Sequence, residues 1–142
     1  MKILFKLLGV CLLIQSAFGV VKQFNQADFE NALKENKRIV ISVKAIWCGH
    51  CIAQQSVFKE ISGYPPYSDM LFMNVVYSGD QAVKNQLNKD FIDEYNEKNP
   101  KKLCTLSSRS TIVVIDEGKV VACKAFITSE ESITRLIQTP IQ

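Results

Sequence analysis

The stretch that decides the fold reads Ile-Val-Ile-Ser-Val-Lys-Ala-Ile-Trp-Cys-Gly-His-Cys and occupies residues 39–51. Its β-branched start predicts a buried strand, and residues 55–61 behind it have helical spacing. Cys48 and Cys51 therefore lie where a strand passes into a helix. The first turn of a helix offers unpaired N–H groups and the positive end of the helix dipole, which lower the pKa of a thiol. The pattern predicts a reactive dithiol, because the thiolate is the form that attacks disulfides.

The rest of the chain predicts alternating strands and helices. The predicted strands are 20–24, 39–45, 70–77, 110–115 and 119–126, and the predicted helices are 26–36, 48–61, 81–98 and 129–138. Strand–helix–strand units are followed by a hairpin at Gly118 and a terminal helix. This order predicts an α/β fold with a mixed central sheet and helices on both faces.

The segment Trp47-Cys48-Gly49-His50-Cys51 resembles the active site of the thioredoxin superfamily. The Gly-His pair between the cysteines is similar to that of protein disulfide isomerase. The resemblance implies a thioredoxin-like fold, no prosthetic group, and a redox-active disulfide that forms, reduces or isomerises disulfides in protein substrates. Cys48 is then expected to attack and Cys51 to resolve the mixed disulfide. His50 is expected to act as a cation that favours the thiolate, and Trp47 is expected to border the substrate groove.

Two positions depart from the pattern of that family. Ser42 stands where a buried acid would take a proton from Cys51, and Ser110 stands where a cis-proline is usual. A cis bond before a non-proline residue costs ~3–4 kcal/mol, so the Arg109–Ser110 bond is either held cis or is trans with a rearranged loop. Arg109 and Ser110 join Trp47 as predicted substrate-binding residues. The Arg109 guanidinium is also expected to stabilise the Cys48 thiolate by Coulomb attraction.

Two further cysteines, Cys104 and Cys123, lie outside the motif. The hairpin register places Cys123 opposite Ile112 and away from Cys104. A disulfide between the two is possible but not implied, and the default expectation is one buried and one partly exposed free thiol. Zinc at Cys48 and Cys51 would need two further ligands, so no metal is expected.

The N-terminus predicts a secretory signal over residues 1–19 and a thioredoxin-like domain over residues 20–142. Lys2 and Lys6 precede an apolar run at residues 7–14, and small residues stand at Ala17 and Gly19. A membrane anchor is the alternative, but the apolar run is short for a span, so no stable membrane insertion is expected after cleavage. A secreted or lumenal protein follows, in an endoplasmic reticulum-type lumen or a bacterial periplasm. The C-terminus carries no Lys-Asp-Glu-Leu-type retention signal.

Charge excludes one class of partner. The net charge is only +3, and the sequence contains no cluster of basic residues that would indicate a nucleic-acid-binding surface, so nucleic acid is not expected as a partner. The expected partners are protein thiols and disulfides together with an unidentified redox partner. The predicted function is a thiol–disulfide oxidoreductase that is similar to protein disulfide isomerase. The alternative is a redox-weak binding or chaperone-like module on the same fold, which Ser42 and Ser110 favour.

Overall fold

Five strands form one mixed sheet in the computed structural model, which describes residues 21–142. The predicted signal segment lies outside these residues. The strands are β1 (Val21–Gln23), β2 (Ile39–Lys44), β3 (Leu71–Val76), β4 (Thr111–Asp116) and β5 (Lys119–Ala125). The helices are α1 (Gln26–Lys34), α2 (Gly49–Ser62), α3 (Gln81–Leu87), α4 (Asp93–Lys98) and α5 (Glu130–Ile137), with a short 3-10 turn at Pro65–Tyr67.

The strand order is β1-β3-β2-β4-β5, so β2 lies at the centre. β3 runs parallel to β1 and β2, whereas β4 is antiparallel to both β2 and β5. Ile39 to Val43 of β2 are fully buried because helices cover both sheet faces. This arrangement confirms the predicted α/β thioredoxin-like fold. It also places the C-terminal end of the central strand β2, and with it the cysteine pair, at one end of the sheet.

Each face of the sheet has its own hydrophobic core. One core joins Phe29 of α1, Leu87 of α3 and Val113 of β4. The other joins Phe58 of α2 and Ile133 of α5. Alternate residues of β2 and β4 point into opposite cores, as the two-residue repeat of a strand requires.

The predicted helix over residues 81–98 is helical throughout but not uniformly α-helical. A π-helical turn at Asn88–Ile92 separates α3 from α4. Asn88 Oδ1 accepts the Leu106 N–H at 3.0 Å, and the Asn96 side chain bonds both the N–H and the carbonyl of Cys104 at 2.8 Å. These side chains fasten the loop that leads from α4 to β4, and so to Arg109 and Ser110.

A β-bulge in the hairpin changes which face Cys123 occupies. The register of β4 and β5 shifts between Val114 and Ile115. Cys123 is therefore opposite Val113, and the predicted pairing with Ile112 is wrong by one residue. Because one residue of slip moves a side chain to the other face of a sheet, Cys123 joins the core that contains Cys104.

Arg38 ties the start of β2 to the end of the chain. Its Nε donates to Asp116 Oδ2 at 2.7 Å, and its guanidinium also donates to the carbonyls of Ile137 and Thr139. The Arg38 and Asp116 side chains are only 13% and 15% exposed.

Within residues 21–142, no helix has the length and apolar character that a membrane span needs.

Candidate active site

Cys48 caps the N-terminus of α2. β2 ends at Lys44 and α2 begins at Gly49, and Cys48 between them has an extended backbone with φ −100° and ψ 120°. Its Sγ accepts the backbone N–H of Cys51 at 3.4 Å. The sulfur thus takes the place of the side-chain oxygen that usually satisfies an N–H group of the first turn. A negative charge on this sulfur faces the positive end of the helix dipole.

The two thiols of the pair are electrostatically unequal. A hydrogen bond from the Cys51 side chain lowers the pKa of Cys48, with help from the Cys51 N–H, from the charge of Arg109 and from Ser110, while burial opposes the shift. Burial raises the pKa of Cys51, and its hydrogen bond to Cys48 adds to that rise. Cys51 is fully buried and Cys48 is 7% exposed. The first proton that leaves the pair therefore leaves Cys48.

Ser110 lies beside the cysteines in a left-handed backbone conformation. No peptide bond between residues 21 and 142 is cis, so the Arg109–Ser110 bond is trans, and φ of Ser110 is 58°. Its N–H donates to the Val43 carbonyl at 3.2 Å. Its carbonyl accepts the Phe126 N–H at 3.1 Å and Gln54 Nε2 at 3.0 Å. Of the two outcomes expected for this bond, the loop has taken the trans form, and the backbone polar groups of Ser110 are paired inside the protein.

The polar side chains behind the cysteines are neutral. Ser42 is fully buried, and its Oγ lies 2.5 Å from Asn74 Oδ1 and accepts Gln55 Nε2 at 2.7 Å. A hydroxyl and two amides thus occupy the position where a buried acid was expected from the family pattern. Ser110 Oγ donates to Cys51 Sγ at 2.9 Å, so a second hydroxyl contacts the buried sulfur directly.

Four residues form a cation–aromatic column beside Cys48. The Arg109 guanidinium carbon lies 5.0 Å from the centre of the Trp47 ring, within the range of a cation–π interaction. The Trp47 and Tyr77 rings pack in a T-shaped arrangement, with 5.9 Å between ring centroids. Below them, Lys84 Nζ lies 5.7 Å from the Tyr77 ring centroid and donates to the Tyr77 carbonyl at 2.6 Å. Although Trp47 is 59% exposed, its position is held from both sides.

Phe126 contacts the cysteine motif from the residue after β5 and was not predicted as a site residue. Its ring meets the exposed His50 ring edge to face, with centroids 6.2 Å apart. Phe126 is 49% exposed and has a φ of 60°, which bulky residues rarely adopt. An aromatic residue at the end of a hairpin strand carries no sequence signal for such a conformation. Ile46 and Trp47, which immediately precede Cys48 in the chain, are 80% and 59% exposed, and we call these two side chains together with Phe126 the apolar rim.

Cys104 and Cys123 form a disulfide, with 6.0 Å between their Cα atoms. The expectation of two free thiols is therefore wrong. The hairpin bulge is the reason, because it brings Cys123 to the face on which the Asn96 side chain holds Cys104. Cys48 and Cys51 are free thiols in the structure. Residues 21–142 contain no group of three or more His, Cys, Asp or Glu side chains placed to hold a metal ion.

The structure brings all six predicted site residues to one end of the sheet. Trp47, Cys48, His50 and Cys51 follow from the passage of β2 into α2. Ser110 and Arg109 directly precede β4. Ser110 contacts Cys51, and Arg109 contacts Trp47. These contacts join positions that are about sixty residues apart in the chain.

Known proteins resemble this chain in sequence and in fold. Residues 20–92 match the Thioredoxin family. Thioredoxin-1 of Saccharomyces cerevisiae is 32% identical over 69 residues, which cover 48% of this chain and 67% of that protein. Mitochondrial thioredoxin-3 of the same yeast is 38% identical over 53 residues, which cover 36% of this chain and 42% of that protein.

Among solved structures, Trxlp from Edwardsiella tarda EIB202 has a TM-score of 0.63 to this chain. The identity is 17%, and the match covers 83% of this chain and 98% of the other, so the likeness supports the fold alone. The family match spans half of the chain and includes the cysteine pair. On this evidence the chain belongs to the thioredoxin family of thiol–disulfide oxidoreductases.

Proposed function

We propose that this protein catalyses disulfide formation or isomerisation in protein substrates of the secretory route. Cys48 attacks or is attacked, a mixed disulfide forms, and Cys51 resolves it. The dithiol itself carries the electrons, and the partner that restores its redox state sets the net direction. Trp47, Arg109 and Phe126 form the surface that receives the substrate.

The observation that carries this proposal is the inequality of the two thiols. The pKa of Cys48 is lowered at the helix N-terminus, and the pKa of Cys51 is raised by burial. An attacking thiol must be a thiolate near neutral pH, whereas a resolving thiol must stay protonated until the mixed disulfide exists. Cys48 is therefore the thiol suited to attack, and Cys51 is the thiol suited to resolution.

Two features favour an oxidising role over a reducing one. His50 lies between the cysteines, where its cationic form favours a thiolate, and stabilising the reduced form makes a disulfide more oxidising. The Cys104–Cys123 disulfide suits an oxidising compartment, because structural disulfides are rare where thiols are kept reduced. The apolar rim supports protein substrates, since exposed apolar patches mark protein-binding surfaces.

Trapping of mixed disulfides tests the exchange reaction. A Cys51→Ala variant should accumulate mixed disulfides with unfolded proteins that contain disulfides, because Cys48 attacks a substrate disulfide, one substrate thiolate leaves, and no second cysteine resolves the product. The matched Cys48→Ala variant should accumulate few, since Cys51 is buried. Equal trapping by both variants, or none by either, would contradict the assigned roles.

The reduction potential tests the direction of exchange. It is measured in glutathione buffers, with the fluorescence of Trp47, the single tryptophan, as the signal. A value near the ~−180 mV of protein disulfide isomerase would support the proposal, and a value near the ~−270 mV of thioredoxin would point to a reductase. Expression of the full chain in a secretory host, with N-terminal sequencing of the product, tests cleavage before Val20 and the compartment.

A second candidate is a binding module with little redox activity. The neutral network at Ser42 favours it, because a hydroxyl and two amides stand where the family pattern has the acid that takes the proton of Cys51. The paired backbone of Ser110 weakens the first candidate, because that backbone is not free to align a bound peptide for exchange. If the dithiol fails to equilibrate with glutathione while the protein still binds unfolded chains, this candidate replaces the first.

A further inference from the structure

Resolution of a mixed disulfide requires Cys51 to lose its proton inside the protein. Cys51 is fully buried, and burial raises its pKa. Among residues 21–142, no carboxylate contributes to the shift of this thiol, and Ser42 behind it is bonded to two amides. The family pattern would supply a buried acid at this point, so another group must stabilise the charge that develops on Cys51.

Ser110 has the geometry to do so. It is fully buried, and its Oγ donates to Cys51 Sγ at 2.9 Å. Its N–H is held by the Val43 carbonyl, and its carbonyl is held by Phe126 and Gln54. Three hydrogen bonds from three separate segments therefore fix the backbone that carries this hydroxyl.

The backbone conformation indicates that this placement has an energetic cost. A φ of 58° is unfavourable for a residue with a Cβ. A buried hydroxyl also needs a partner, and a sulfur that is only a thiol is a weak one. A thiolate is a much stronger acceptor, because hydrogen bonds to charged groups are about twice as strong as neutral ones. The hydrogen bond from Ser110 to Cys51 is therefore strongest when Cys51 is a thiolate.

We propose that Ser110 is a catalytic residue whose hydroxyl stabilises the Cys51 thiolate during resolution. In that step the Cys51 sulfur bonds to the Cys48 sulfur, the bond between Cys48 and the substrate sulfur breaks, and the electron pair leaves on the substrate thiolate. The Cys51 proton passes to water, water returns a proton to the substrate thiolate, and Ser110 keeps its own proton. This inference rests on the proposed order of attack by Cys48 and resolution by Cys51.

Two variants separate the hydroxyl from the backbone. Ser110→Ala and Ser110→Gly both remove the hydroxyl, but glycine relieves the left-handed conformation whereas alanine does not. If the hydroxyl matters, the two variants must behave alike. The matched control is Ser108→Ala, which removes a half-buried hydroxyl from the same loop, two residues away.

The first readout needs no substrate. In a Cys48→Ala background, Cys51 is titrated by the ultraviolet absorbance of its thiolate. Both Ser110 variants should raise the pKa of Cys51 by about one unit, a tenfold loss of thiolate at a given pH below that pKa. Ser108→Ala should leave the pKa unchanged. An unchanged pKa in both Ser110 variants would overturn the proposal, and so would a rise in only one of them.

The second readout follows the two steps of exchange with a small aromatic disulfide, dithiobis(nitrobenzoate). Its reaction with the reduced Cys48–Cys51 pair releases one coloured thiolate on attack and a second on resolution. Both Ser110 variants should slow the second release about tenfold at neutral pH and the first much less, and the deficit should shrink at high pH. A second release that keeps its wild-type rate would overturn the proposal. Since neither readout uses a protein substrate, failure of the proposed function would appear separately, as loss of trapping or of glutathione equilibration in the wild type.

Discussion

Removal of the Cys104–Cys123 disulfide should destabilise the protein by about 3 kcal/mol. The bridge closes a loop with a sequence separation of 19 residues. For a loop of about 20 residues, the chain-entropy estimate is about 11 cal/mol/K, or about 3 kcal/mol at room temperature. The effect acts mainly through the unfolded chain, which regains its freedom when the bridge is absent.

The perturbation is a Cys104→Ala/Cys123→Ala variant in a background that also carries Cys48→Ala and Cys51→Ala. That background leaves a single disulfide, so redox chemistry at the active site does not affect the comparison. Its own reduced form is the matched control, because reduction opens the loop without any substitution at Cys104 or Cys123.

Urea denaturation followed by circular dichroism measures the difference in free energy of unfolding. A loss of 3 kcal/mol corresponds to a midpoint lower by about 1–3 M urea and to a melting temperature lower by on the order of 10 °C. The reduced background and the four-alanine variant should agree. Two free thiols found at Cys104 and Cys123 under non-reducing conditions would refute the reasoning, and so would a reduced protein as stable as the oxidised one.

Three further predictions concern the active site and the chain end. Arg109→Ala should raise the pKa of Cys48, because the charge of the guanidinium lowers that pKa. The alkylation rate of Cys48 should therefore fall at mildly acidic pH and match the wild-type rate at high pH. An unchanged pH profile of alkylation would contradict this prediction. Phe126→Gly should keep the free energy of unfolding or raise it by ~1 kcal/mol, because glycine relieves the left-handed backbone. The same variant should slow exchange with unfolded proteins but not with dithiobis(nitrobenzoate). An unchanged rate with unfolded proteins would remove Phe126 from the substrate surface. Arg38→Ala should cost about 3 kcal/mol in urea denaturation, since it breaks three charge-assisted hydrogen bonds, and a cost below ~1 kcal/mol would contradict it.

The sequence was sufficient for the elements that depend on local pattern. The β-branched runs at β2 and β4 are strands because they fill both faces of a covered sheet, and period and composition reveal such runs. Cys48 was placed at the start of α2 because a strand ends shortly before it and helical spacing follows. The clustering of Arg109 and Ser110 with the cysteines came from the family resemblance, since nothing local joins residues so far apart.

Features set by tertiary contacts could not be predicted in this way. The hairpin bulge leaves no mark in composition, yet it decides the face of Cys123 and hence the disulfide with Cys104. The left-handed backbone at Ser110 and Phe126 was equally hidden, because neither residue type prefers it and the surrounding hydrogen bonds impose it. These positions are the ones where local preference and the final structure disagree.

The cation–aromatic column also has a consequence for the entropy of association. An exposed tryptophan free to change rotamer would lose that freedom when a substrate packs on it, at about 0.5–1.5 kcal/mol for each side chain immobilised. Here Arg109 and Tyr77 already hold the Trp47 ring, and Lys84 holds Tyr77 from below. In the proposed role of Trp47 as a substrate contact, the indole would meet its partner preorganised, and more of the apolar contact would remain as affinity.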